Sequence, residues 1–179
     1  MKFLKCLSLL ILTSVSVLAQ ETVSVGISGV HNFPMKSTGF GLRSNVPVTP
    51  DFSVVPQVKY TPKFNDIHEV NAGVSFHYNI IKNSFRNGSK LKTDSKKPVV
   101  YVAAGVLYNR WINYYPTTNT KIKKNNILPE AGLGLMLGGN KLRGFAEGKY
   151  NILWGESYAE AGILFYPFNK RSKKVLKCN

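Results

Sequence analysis

From Thr22 onward one pattern repeats: apolar residues alternate with polar or small ones through eight stretches of roughly ten residues, set apart by Gly, Pro, Asn and Lys. A strand turns successive side chains to opposite faces, so this period of two describes strands with one apolar face. The stretches are Thr22–Val30, Thr38–Val46, Phe52–Pro62, Ile67–Ile80, Pro98–Trp111, Ile127–Gly138, Leu142–Ile152 and Tyr158–Phe168. The clearest sets Val70, Ala72, Val74, Phe76, Tyr78 and Ile80 against Glu69, Asn71, Gly73, Ser75, His77 and Asn79. Pro98–Trp111 is apolar on both parities, so its facing is ambiguous. Turn chemistry falls at Pro47–Asp51, at Gly138–Lys141 and at Trp154–Ser157. No helical period is sustained.

Four of the nine carboxylates, Glu69, Glu130, Glu147 and Glu160, lie inside these stretches, each on the polar parity. Buried carboxylates are costly unless paired. Strands that all turn one to the same side therefore need a wet or ion-paired interior. Arg43, Lys59, Arg143 and Lys149 supply cations on the same parity, and His77 shares the face of Glu69. These nine residues form the expected lumen charge network. Glu130, beside Pro129 at the start of its stretch, reads as nearer the rim.

The N-terminus joins a basic start, Met1-Lys-Phe-Leu-Lys5, to an apolar run from Leu7 and a small residue at Ala19. Those are the parts of a secretory signal peptide, and the run is too short to span a bilayer as a helix. Residues 1–19 are expected to be cleaved, leaving 160 residues and a net charge of +13 instead of +15. Cys6 would leave with the signal, and Cys178 alone forms no internal disulfide. Expected domains are a signal peptide (1–19), a barrel (20–168) and a basic tail (169–179). Basic clusters lie between Lys82 and Lys97, at Lys121, Lys123 and Lys124, and between Lys170 and Lys177. They read as solvated loops or as surfaces drawn to anionic headgroups. No nucleic-acid motif accompanies them.

Eight strands in sequence, joined by connections suited to antiparallel neighbours, can close into an up-and-down barrel without free edges. A soluble barrel puts its apolar face inside; an outer-membrane barrel puts it against lipid and lines its lumen with the polar face. Self-neutralising polar faces, strands of bilayer-crossing length and aromatics near strand ends favour the membrane form. The expected aromatic girdle is Phe40, Tyr60, Tyr78, Trp111, Tyr150, Trp154 and Phe168.

The segment Lys141-Leu-Arg-Gly-Phe-Ala-Glu-Gly-Lys-Tyr-Asn-Ile152, followed by Tyr158-Ala-Glu-Ala-Gly-Ile-Leu-Phe-Tyr-Pro-Phe168, resembles the last two strands of small outer-membrane β-barrels. These are the OmpA/OmpX-like barrels of the outer-membrane β-barrel domain family. The resemblance implies an all-β, eight-stranded antiparallel transmembrane barrel in the outer membrane of a Gram-negative cell, with both termini periplasmic. It also implies outer-membrane lipids, lipopolysaccharide among them, and the outer-membrane assembly machinery as partners, with other envelope proteins as further candidates. Loops near His31–Ser37, Lys63–Asp66, Trp111–Asn126 and Trp154–Glu156 would then face outward. Final strands of the family end on an aromatic C-terminus, whereas here Asn169–Asn179 follows Phe168.

Catalytic signals are weak. His77 has Ser75 and Glu69 on its face, but filling a lumen is the commoner role of such a histidine. His68 between Asp66 and Glu69 lacks further metal ligands. No cofactor motif appears. The sequence is read as a non-enzymatic barrel with a filled lumen, serving structural or surface-interaction roles or an accessory role in a larger assembly. A barrel enzyme acting on lipid A or phospholipid, and a soluble exported binding barrel, are the alternatives.

Overall fold

The computed structural model describes residues 23–49, 51–64, 67–82, 98–113, 124–139 and 141–167. The signal, the tail, Phe168 and most of the two long basic loops lie outside them. Eight strands follow one another: β1 (Ser24–Asn32), β2 (Ser37–Pro47), β3 (Phe52–Phe64), β4 (Ile67–Lys82), β5 (Val99–Ile112), β6 (Asn125–Gly138), β7 (Leu142–Asn151) and β8 (Glu156–Phe165). Each pairs antiparallel with the next, and β1 pairs with β8, so the sheet closes on itself. Closure satisfies every strand edge, which a hydrocarbon surrounding demands.

The wall is apolar outside. Ile27, Leu42, Val58, Phe76, Val106, Leu133 and Ile163 are all exposed, while Arg43, Lys59, Glu130, Glu147, Lys149 and Glu160 are buried. This inverts the distribution of a soluble protein. The pattern follows from strand parity. Glu147 and Lys149 point inward because Ala146, Gly148 and Tyr150 point outward. The ambiguous fifth stretch resolves the same way, with Tyr101, Ala103, Leu107, Asn109 and Trp111 inward.

Lumen-facing glycines let large side chains cross a narrow barrel. A Cβ on Gly134 would collide with the ring of Tyr101, and one on Gly162 with the ring of Phe145. Tyr101, Met136, Phe145, Leu164 and Tyr166 pack together and close the end of the barrel that carries the termini. An eight-stranded barrel is just wide enough for such filling.

Candidate functional site

The lumen holds the charges in its middle layer. β7 and β8 place Glu147 directly opposite Glu160. Like charges facing across a ladder are destabilising, and two cations relieve this pair. Arg43, reaching across from β2, lies 2.7 Å from Glu147 Oε1 and 3.7 Å from Glu160 Oε1. Lys149 Nζ lies 2.8 Å from Glu147 Oε2 and 3.4 Å from Glu160 Oε2. Lys59 from β3 completes the set at 2.9 Å from Glu160 Oε2 and 4.0 Å from Glu130 Oε2. Three carboxylates thus meet three basic side chains.

Neutral donors add hydrogen bonds to each of the three carboxylates. Tyr101 donates to Glu147 at 2.6 Å, and Ser28 on β1 donates to Glu160 at 2.8 Å, tying the first strand to the last. Ser75 and Gln57 donate to Glu130 Oε1 at 2.8 and 2.9 Å, and the Tyr158 hydroxyl donates to Glu130 Oε2. Arg43 lies over the Phe145 ring at 4.1 Å, and Lys59 over Tyr158 at 4.8 Å. His77 stacks on Tyr101 at 4.6 Å, with Nε2 3.8 Å from Glu147. Buried charges survive where close ion pairing and added hydrogen bonds offset the loss of water; Lys59 Nζ and Glu147 Oε2 rest on their ion pairs alone.

Arg43, Lys59, His77, Glu130, Glu147, Lys149 and Glu160 are therefore brought into one network. Two of the expected members are not. Arg143 turns to the termini end, where it donates to the Gly139 carbonyl at 3.2 Å and lies over Tyr166 at 5.1 Å. Glu69 sits at the opposite mouth and accepts from Asn109. The rim reading of Glu130 is also corrected: it is 4 % exposed and central. β6 begins at Asn125, two residues before the expected start, which moves Glu130 into mid-strand.

The girdle needs a similar correction. Phe40, Tyr78 and Tyr150 are exposed on the outer wall, and Tyr60 faces outward with its hydroxyl 2.7 Å from His68 Nδ1. Trp111 instead points inward and is 6 % exposed. Trp154 is half-buried and packs on it with centroids 5.5 Å apart. The β7–β8 turn aims Trp154 there. Asn151 Oδ1 accepts from the Leu153 and Trp154 amides, and Gly155 takes a φ of +69° that favours glycine. Phe168 lies outside the described residues.

The two indoles stand over a vestibule at the end of the lumen away from the termini. Asn32, Asn71, Glu69, Glu156, Leu107 and Leu128 are among its walls. Parity places each of these residues on the inner face, but only the closed barrel brings Asn32, Glu69 and Glu156 to one depth. Among the described residues no group of three or more His, Cys, Asp or Glu side chains is arranged to hold a metal.

No protein-family profile matches the chain, and no curated protein sequence matches it. Solved structures do. The N-terminal β-barrel domain of Pseudomonas aeruginosa OprF superposes with a TM-score of 0.57 at 18 % identity, covering 82 % of this chain and 97 % of that one. Neisserial surface protein A gives 0.54 at 13 % identity, covering 80 % and 95 %. A de novo designed transmembrane β-barrel gives 0.52 at 18 % identity, covering 80 % and 93 %. What is shared at these identities is the fold. The chain is a closed eight-stranded up-and-down barrel of the kind found in small outer-membrane proteins.

Proposed function

We propose that this chain is a non-enzymatic barrel of the outer membrane of a Gram-negative cell, with both termini periplasmic. It serves envelope structure, surface interaction, or a larger assembly as an accessory subunit. The inverted surface carries this reading: an apolar wall faces outward around a lumen of matched charges. Aromatics ring the wall at two levels, with Phe52, Phe76, Tyr78 and Phe165 towards the termini and Phe40, Tyr60, Tyr108 and Tyr150 towards the other end. Such rings suit the two membrane–water interfaces. The filled middle of the lumen supports a structural role, because Tyr101 and Phe145 pack across it and the ion-paired layer occupies the space above them. The partners in this reading are outer-membrane lipids, lipopolysaccharide included, and the outer-membrane assembly machinery. The basic segment 81–97 and the tail would face the periplasm.

Heat-modifiable migration in detergent gels, together with fractionation of the envelope, tests the membrane placement. The folded barrel should run differently from the boiled chain and should sediment with outer membranes; a protein that stays soluble without detergent would defeat the proposal. Lipid A and phospholipid mass spectra with and without the gene test the non-enzymatic part. A lost or added acyl chain would overturn it.

A further inference from the structure

The vestibule carries two carboxylates, Glu69 and Glu156, that lie outside the central ion-paired network. Glu69 takes its hydrogen bonds from amides, those of Asn109 and Asn71, and Glu156 takes one from Asn32 at 2.9 Å. Neither carboxylate forms an ion pair with a cation among the described residues. Lys59 lines the same cavity, but its ammonium is held 2.9 Å from Glu160. A carboxylate offers about four lone-pair sites, so both retain acceptor capacity. The cavity has a side lobe, between Met35, Ser37, Ile67 and Trp111, that shares Thr61 and Glu69 with the main one. Ser37, 8 % exposed, lines this lobe, and its hydroxyl has no hydrogen-bond partner among the described residues.

The main lobe has Val30, Leu107, Leu128 and Trp154 as its apolar walls, beside Tyr158, Asn151 and the ion-paired Glu130, and the side lobe has Met35, Ile67 and Trp111. A ligand that fits must bring donors and positive charge on a slim apolar body. We propose that the vestibule binds an alkylammonium ion, an aliphatic chain bearing one or more amino groups, with Glu69 and Glu156 as its counter-charges. The indoles add cation–π contact. A sugar fits poorly, because the Asn32, Asn109 and Asn151 side chains are already engaged. This ammonium chemistry could come from a free polyamine or from a lysine side chain of a partner protein.

The molecule supplies its own reporter, since both of its tryptophans stand at the vestibule. The full chain, refolded in non-ionic detergent, is titrated with 1,4-diaminobutane, spermidine, a lysine-containing peptide and 1,4-butanediol. Tryptophan fluorescence and titration calorimetry follow binding. The amines should give a saturable response that the diol and sodium chloride at equal ionic strength do not. Glu69→Gln and Glu156→Gln should each weaken amine binding about tenfold while keeping heat-modifiable migration, which reports the fold separately from the ligand. Tighter binding of the peptide than of the free amines would assign the site to a protein partner, and the reverse to polyamines. An equal response to the diol or to salt, a better response to a neutral sugar, or no saturable response up to millimolar amine would overturn the proposal. Should the variants fail to fold, the comparison of amine, diol and salt on the wild-type chain decides alone.

Discussion

The residues that matter most are those whose removal leaves a partner charged and buried. Glu147 accepts from Arg43 and Tyr101 and is ion-paired with Lys149. Glu147→Leu should cost about 3–5 kcal/mol, the range for breaking a buried pair from one side. Arg43→Met should cost a similar amount, because Glu147 and Glu160 then face each other with less between them. The double variant removes one charge of each sign and should recover at least half of the summed loss. Urea unfolding in detergent measures all three, and a double variant as weak as the sum would show that the pair is not coupled. Gly134 offers a second test. Gly134→Val drives a side chain into Tyr101 and should destabilise by about 1–3 kcal/mol, whereas Gly29, with open space where its Cβ would be, should accept alanine with little change. Much of this was legible in the sequence, because strand parity alone assigns Arg43, Lys59, Glu147, Lys149 and Glu160 to one face. Depth was not legible. Glu69 and Glu130 share the inner face, yet one ends at the mouth and the other in the middle. Depth depends on strand stagger, which is set by pairing between distant segments.

At the scale of the strand, alternation works only where the two faces differ in polarity. β5 reads as apolar on both sides because its inner face carries Tyr101, Ala103, Leu107 and Trp111. Those side chains fill space beside polar ones on other strands: Tyr101 covers Gly134, and Leu107 pairs with Leu128. The inward turn of Trp111 was hidden for that reason. β3 to β6 run 13 to 16 residues, longer than the crossing length of roughly 9–11 that the pattern suggested. Their ends therefore reach past the apolar belt, which accommodates Arg110 on the outer face of β5. The outer wall should show its depth through charge. Leu133 lies mid-wall between Val102 and Gly148. Leu133→Arg should cost about 2–4 kcal/mol in a lipid bilayer, and Ile152→Arg at the β7–β8 turn about 0–1 kcal/mol. Equal costs in reversible unfolding from liposomes would mean that the wall does not face hydrocarbon.

On the whole-molecule scale, the barrel is a closed ring around three stacked fillings: an aromatic and aliphatic base, a neutralised layer of charge, and an acidic vestibule under two indoles. Each has a different consequence for permeation. The base packs Tyr101 and Phe145 across the lumen, and the layer above it links β1, β2, β3, β6, β7 and β8 through Ser28, Arg43, Lys59, Glu130, Lys149 and Glu160. Water and ions meet both before they could cross. Reconstituted in a planar bilayer, the wild-type chain should hold no steady open-channel current. Opening the base alone should not suffice, because the ion-paired layer still spans the lumen, so Phe145→Ala should stay closed. Phe145→Ala combined with Arg43→Ala breaches the base and removes one of the two cations that Glu147 and Glu160 share. That variant should leak, and should prefer cations because three carboxylates then face only Lys59 and Lys149 across the gap. A wild-type barrel that conducts as freely as the double variant would mean that the lumen filling opens in the membrane, and the structural role argued from it would fall.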